Sequence, residues 1–400
     1  MTNEVSIAEG IYLIGVNDRR THLFENIWPL PHGVSYNCYL VVDEKTVLLD
    51  TVQFGSEGNF IERLESHLAG KPLDYLVVNH MEPDHSGELE SVLMRWPQLK
   101  IVGNCQTRKI MENYYGDISS YFMEIADGDS INTGKHTLQF HITPWVHWPE
   151  TMMTYEVENR ILFSADAFGT FGAIDGNAID GGAGGMRGYE SEMRRYYSNI
   201  VGKYGGMVQK ALKKLGGLPV ETICAVHGPV WREHAAEVIS LYDKWSRGEA
   251  DEAVMIVYAS MYGNTGHVAD HIAARIAASG VKDIKVYDVS KTHLSFLISE
   301  AWRCKYIVLG SCSYNGDMFP LMDMFCRTMK SYRLTGRHVA FFGTGSWSGG
   351  GLRTLKMFGD ECGWEQICEP AEAFGRATAD KLAVFDRLAD SIAARIRNNE

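Results

Sequence analysis

The stretch Tyr75-Leu76-Val77-Val78-Asn79-His80-Met81-Glu82-Pro83-Asp84-His85 decides how the first half of the chain is read. An apolar, β-rich run passes directly into His80, Glu82, Asp84 and His85, four candidate metal ligands at the point where a buried strand ends. Pro83 disfavours helix for the residue before it, so the spacing predicts an extended loop whose alternating side chains His80, Glu82 and Asp84 converge on one site. Asp84 and His85, being adjacent, then point apart unless the chain turns. Taken alone, a polar loop with a satisfied strand-end histidine has the same sequence, so its company elsewhere in the chain matters.

Three further residues supply that company. His147 lies in TPWVHWPET, Asp166 ends the run RILFSAD and His227 ends TICAVHG. Each sits at the end or edge of an apolar run, where an ionisable group is expensive to bury unless paired or bound to a cation. Together the strand ends offer His80, Glu82, Asp84, His85, His147, Asp166 and His227. These are all nitrogen or oxygen donors, enough for two metal ions that share one carboxylate. Histidines without such neighbours, His141 on its apolar strand included, read as surface or packing residues.

Working outward, residues up to about 165 alternate short β-rich runs such as CYLVVD (38–43) and KTVLLD (45–50) with helical periodicity in NFIERLESHLAG and GELESVLMRW. That mixture predicts stacked sheets with helices outside. A glycine-rich stretch follows at 169–188, then helix to about 215 and the strand before His227. After a charged helical segment near 232–250 the pattern changes to AVMIVYAS, HVADHIAARIAASG, IKVYDVS, KYIVLGS and HVAFFGT. Apolar strands alternating with amphipathic helices specify a doubly wound parallel sheet. Four hundred residues exceed one ordinary core, and the expected domains are 1–250 and 251–400.

Composition narrows the function. Net charge is −12 with no Lys/Arg cluster, against a surface that neutralises nucleic-acid phosphates. Eight cysteines occur without a CxxC pair, so neither a disulfide scaffold nor a thiolate metal site is expected. The start, MTNEVSIAEG, lacks a basic region followed by an apolar one, and no run of about 18 apolar residues occurs. The chain is expected to be cytoplasmic, with no membrane partner.

In the second half, Ser260, Met261, Tyr262, Gly263, Asn264 and Thr265 link the strand AVMIVYA to a helix. Backbone N–H groups, the helix N-terminus and two hydroxyls make such a turn suited to a phosphate. No Gly-Lys-Ser/Thr follows, so this is not a nucleoside triphosphate loop. Two more strand-end loops hold Ser311, Cys312, Ser313, Tyr314, Asn315 and Gly316, and Gly345, Ser346, Trp347, Ser348 and Gly349.

The His-x-Glu-x-Asp-His run with its later single His, Asp and His resembles the metallo-β-lactamase fold, an αββα sandwich. Its hydrolytic members usually carry His where Glu82 stands; a hard carboxylate there favours iron over zinc. The three glycine loops resemble those of flavodoxins, which hold FMN: the first its phosphate, the other two its ring. Tyr314 and Trp347 are then flat side chains near the ring, and amides around Asn315, Gly316 and Gly349 face its polar edge.

Both motif sets in this order, with the phrases GVSYNCYLVVD, VHWPETM and RYYSNI, make nearly the whole chain similar to the flavodiiron (A-type flavoprotein) family. The resemblance implies that His80, Glu82, His147 and Asp166 hold one iron and Asp84, His85, Asp166 and His227 the other, with Asp166 bridging. In some relatives the residue matching His85 stands off the metal. It also implies reduction of dioxygen to water, of nitric oxide to nitrous oxide, or both, in a head-to-tail homodimer or a dimer of dimers. The absence of CxxC implies no fused rubredoxin, so electrons come from an external donor: a rubredoxin, a reduced deazaflavin or a flavin reductase. Glu25 in LFENIW stands where several relatives carry a pocket histidine, and the glycine-rich stretch after Asp166 also departs from the family. The competing expectation is a zinc-dependent hydrolase fused to a flavodoxin-like docking domain.

Overall fold

Alternation along the early strands seals both of their faces. In the computed structural model, which describes residues 5–55, 60–181 and 185–398, Tyr39, Val41, Val47, Leu49, Val77 and Val102 point into one core. Leu40, Leu48, Leu76 and Ile101, the residues between them, are equally buried on the other side. The sheet they form runs Val5–Ala8, Ile11–Leu13, Tyr39–Val42, Thr46–Leu49, Tyr75–Val77, Lys100–Gly103 and Phe122–Glu124. A second sheet of Ser130–Asn132, Thr137–Ile142, Met152–Glu156, Ile161–Phe163 and Thr222–Cys224 contributes Leu138, Phe140, Met152, Ile161, Phe163 and Cys224 to the same core. The helices Phe60–Leu68 and Cys105–Tyr115 pack against the first sheet, and Gly205–Leu215 and Ala235–Ser246 pack on each other; the unit Met1–Ser246 is the expected αββα sandwich.

Pairing is parallel where it positions chemistry. Leu48↔Leu76 and Leu76↔Ile101 pair parallel in the first sheet, and Leu162↔Ile223 in the second. The C-terminal ends of neighbouring strands therefore lie together. Asp50, His80, Asp166 and His227 all follow such ends. The N–H of Met152 donates to the Asn79 carbonyl (3.0 Å), tying the second sheet to the run that carries His80.

One local expectation is corrected. The chain is extended through Glu82 (φ −59°, ψ 139°), but Pro83–Ser86 is a helical turn with Pro83 in its first position. Proline restricts the residue before it and lacks only an N–H that a first helical residue does not need. The turn swings Asp84 and His85 to the same side.

The unit Arg247–Glu400 is built on a parallel sheet in the order Ile284–Asp288, Asp251–Ala259, Cys304–Tyr314, His338–Gly345, with Glu365–Gln366 and Ala371–Phe374 both along the last of these. One face is covered by Val268, Ile272 and Ile276 of Asn264–Ala278 and by Phe385, Leu388 and Ile392 of Ala379–Arg397. Helices Leu294–Arg303, Pro320–Tyr332 and Gly351–Cys362 pack on the other face. The sheet is doubly wound, and its order reverses between Asp251–Ala259 and Cys304–Tyr314, where such folds open a crevice beyond the strand ends. Residues 182–184 of the glycine-rich stretch lie outside the described residues. Among the described residues no helix is long and apolar enough to cross a membrane.

Candidate metal centre and cofactor loops

All seven ligand candidates of the first half converge. Donor atoms of His80, Glu82, His147 and Asp166 form one group, and those of Asp84, His85 and His227 another, each within 4.8 Å. Glu82 Oε2 lies 3.2 Å from His80 Nε2 and 3.0 Å from His147 Nε2. Asp166 faces both groups: Oδ2 is 3.1 Å from His80 Nε2 and 3.2 Å from His147 Nε2, while Oδ1 is 3.3 Å from His85 Nε2 and 3.6 Å from His227 Nε2. Asp84 Oδ2 lies 3.2 Å from His85 Nε2 and 3.3 Å from His227 Nε2. Separations of this size are the edges of a coordination polyhedron with bonds of about 2.1 Å.

The donor chemistry fits resident cations. Both oxygens of Asp84, Oδ2 of Asp166, and the Nε2 atoms of His85 and His227 are buried without a hydrogen-bond partner among the described residues, a costly state that a cation relieves. In the chain alone, carboxylate charge is balanced by protons on imidazole. Burial by itself would lower His80, yet Asp166, Glu150 and Glu82 raise it well above the ordinary histidine range. Burial likewise opposes protonation of His85 and His147, but the facing carboxylates lift them to about 10 and about 9. Asp166 is held well below the usual carboxylate range, its own burial being outweighed by the histidines around it. Glu82, Asp84, Asp166 and Glu150 carry four negative charges, which two divalent cations neutralise as the histidines release their protons.

Several supporting residues surround the ligands, and all but Asp50 carry no signal that singled them out in the sequence. Glu150 Oε1 lies 2.8 Å from His80 Nδ1 and accepts from Met81 N–H at 2.9 Å. The Tyr196 hydroxyl donates to Asp166 Oδ1 at 2.7 Å. Asp50 accepts from Asn79 N–H (2.8 Å), Asn79 Nδ2 (2.9 Å) and His80 N–H (3.2 Å), pinning the ligand run to the neighbouring strand end. His227 Nδ1 is 2.8 Å from the Ser35 carbonyl. Asp50 alone had a legible cue, as a carboxylate closing the apolar run KTVLLD.

A cavity of 610 Å³ opens onto the pair, lined by Thr21, Leu23, Phe24, Glu25, Tyr36 and Gln53 and reaching Glu82 and Asp84. Trp28 Nε1 donates to Glu25 Oε2 at 2.9 Å. Burial, and then the Glu82 carboxylate, push Glu25 up to about 7. His141 and His136 stand outside the two groups; His136 Nδ1 pairs with Glu156 Oε1 at 2.7 Å.

In the second unit the three loops follow three neighbouring strands. Tyr262 and Trp347 are 96% and 91% exposed, and Met261 and Tyr314 are also exposed. Other residues turn inward and fix the loops. Thr265 Oγ1 meets Thr344 Oγ1 at 2.8 Å, Ser260 Oγ accepts from Gly263 N–H, and Asn264 bridges to Gly375 O and Ala377 N. Ser311 Oγ accepts from Phe319 N–H, and Ser313 Oγ accepts from the N–H groups of Gly350 and Gly351. Cys312 is buried beside them. The hydroxyls of Ser311, Ser313 and Thr265 thus serve the loops, while the Met261 side chain and the rings of Tyr262, Tyr314 and Trp347 are exposed.

Residues 34–228 match the family model described as ODP family beta lactamase, and 256–364 match that described as flavodoxin. An uncharacterized protein of Methanocaldococcus jannaschii is 32% identical over 96% of this chain and 93% of its own length. The structure of rubredoxin:oxygen oxidoreductase from Desulfovibrio gigas superposes with a TM-score of 0.93 at 27% identity, covering 99% of each chain. The chain belongs to the flavodiiron protein family. The anaerobic nitric oxide reductase flavorubredoxin of Escherichia coli is also similar to this flavodiiron protein, 29% identical over 90% of the chain and 76% of that protein.

Proposed function

We propose that this flavodiiron protein is an oxidoreductase that reduces dioxygen to water, nitric oxide to nitrous oxide, or both, with residues 1–250 as its diiron domain and 251–400 as its FMN domain. The observation that carries the proposal is Asp166, whose two oxygens face two separate buried ligand groups. Two of its relatives are named for oxygen and nitric oxide reduction. His80, Glu82, His147 and Asp166 would hold one iron, and Asp84, His85, Asp166 and His227 the other. When bound, the iron pair supplies open positions for a diatomic gas and, with FMN, the electrons for its reduction.

The chain's own residues do the rest. Glu150 and the Ser35 carbonyl fix the outer nitrogens of His80 and His227, which leaves the Nε2 atoms turned to the metals. Leu23, Phe24 and Tyr36 make the cavity wall apolar enough for a gas to enter. Glu82 in place of a third imidazole in the first group speaks for iron and against a zinc hydrolase. In the second unit, the Ser260–Thr265 turn would hold the FMN phosphate, with Tyr314 and Trp347 against the ring. The electron donor is a rubredoxin, a reduced deazaflavin or a flavin reductase, and the working assembly a head-to-tail homodimer or a dimer of dimers.

Purified protein tests this directly. The expected result is two irons and one FMN per chain, a flavin absorption spectrum, and consumption of oxygen or nitric oxide by the anaerobically reduced protein. Colourless protein that carries zinc and consumes neither gas would refute it.

A further inference from the structure

The two metal positions have unlike supports. On the side of His80 and His147, Asp166 Oδ2 meets both imidazoles, and His80 is backed by a fully buried carboxylate, Glu150. Glu150 is itself anchored, through Met81 N–H to its side chain and Asn104 Nδ2 to its carbonyl (2.6 Å). On the side of Asp84, His85 and His227, no carboxylate among the described residues hydrogen-bonds the outer nitrogen of an imidazole, although Asp50 acts on His85 electrostatically. His227 leans on a neutral carbonyl, and His85 Nδ1 is buried with no hydrogen-bond partner. What holds the bridging carboxylate there is the Tyr196 hydroxyl, on Oδ1.

Tyr196 is built to stay in place. Its ring is fully buried among Phe171 (5.1 Å between centroids), His227 (5.4 Å) and Phe24 (6.1 Å). It ends the helix Glu190–Tyr196, and the next residues, Tyr197–Val201, form a π-helical turn, a feature that recurs at functional sites. A Cβ on Gly169 would come within 3.1 Å of the ring and 3.0 Å of the Asp166 carbonyl, so the chain after Asp166 passes close against the tyrosine.

We propose that Glu150 and Tyr196 are positioning residues that each govern one metal position: Glu150 the site of His80, Glu82 and His147, and Tyr196 the site of Asp84, His85 and His227. The proposal rests on the two-metal reading of the preceding section. A residue that orients a ligand contributes about 10- to 100-fold to metal affinity, and here the contributions fall on different metals.

The test uses the full-length FMN-loaded chain, stripped of metal, in two backgrounds that each leave one position intact: Asp84→Ala for the first and Glu82→Ala for the second. Fe(II) uptake is measured anaerobically against a competing chelator, with Mössbauer spectra of the loaded protein. Tyr196→Phe, which keeps the ring, should weaken uptake about 10- to 100-fold in the Glu82→Ala background and leave the Asp84→Ala background unchanged. Glu150→Gln should do the reverse, and in the two-position chain each variant should alter the Mössbauer doublet of one iron only. The unaffected background in each case shows that the fold survives. Equal weakening in both backgrounds, or none in either, would overturn the assignment. Uptake of fewer than two irons by the chain without substitutions would instead defeat the two-metal reading itself.

Discussion

At the scale of single residues, Asp166 is the position on which both ligand groups depend. Its side chain is fully buried, and its two oxygens are divided between the groups. Asp166→Ala should therefore lose both irons and gas consumption while FMN stays bound, as measured by metal analysis, oxygen or nitric oxide electrodes and flavin absorbance. A chain that kept two irons after this change would rule out the bridge. The seven convergent side chains were legible in the sequence because they close or directly follow apolar runs, where an ionisable group has no cheap place to go. Tyr196 and Glu150 were not. A tyrosine in RYYSNI has the pattern of a helix core, and a glutamate after Trp148-Pro149 that of a solvated loop; only the folded chain shows their oxygens at Asp166 and His80.

Among elements, the turn Pro83–Ser86 shows where local rules stop. Proline's constraint was correctly placed on Glu82, but nothing in a six-residue window tells whether the chain after Pro83 continues straight or coils. The parallel strand ends were legible as apolar runs; which ones adjoin is set by pairings between residues far apart, such as Leu162↔Ile223. The three glycine loops illustrate the same limit. Their order was readable, whereas the inward turn of Ser311, Ser313 and Thr265 follows from tertiary hydrogen bonds. Two predictions belong here. A Cβ on Gly350 would sit 2.2 Å from the Gly316 carbonyl, so Gly350→Ala must push the second and third loops apart. FMN affinity should drop about tenfold or more with iron content unchanged, because overpacking of this kind costs about 1–3 kcal/mol; titration of flavin-free protein with FMN measures it. Arg337, buried and lowered by that burial to about 10, still carries its charge at neutral pH. Its guanidinium donates to the carbonyls of Ala301, Trp302, Gly248 and Thr335. Lysine cannot reproduce that fork, and Arg337→Lys should cost about 2–4 kcal/mol in urea unfolding of the flavodoxin-like unit.

For the whole molecule, the division of labour follows from what each unit lacks. The first unit gathers seven buried or half-buried residues with nitrogen and oxygen donors, which suit cations and a small gas but store few electrons. The second has no such cluster among its described residues; its three strand-end loops carry exposed rings, Tyr262 and Trp347 foremost, suited to a planar aromatic cofactor. Sustained reduction of dioxygen to water takes four electrons, more than a ferrous pair gives in its ordinary two-electron oxidation, so turnover needs the flavin even though gas binding does not. Removing FMN while leaving iron in place should therefore preserve gas binding and a first, substoichiometric consumption. Steady-state consumption with a reduced carrier should fall by at least about tenfold, and added FMN should restore it. Full steady-state activity in flavin-free, iron-loaded protein would mean that the carrier reduces the irons directly, and the role assigned to the second unit would have to be given up.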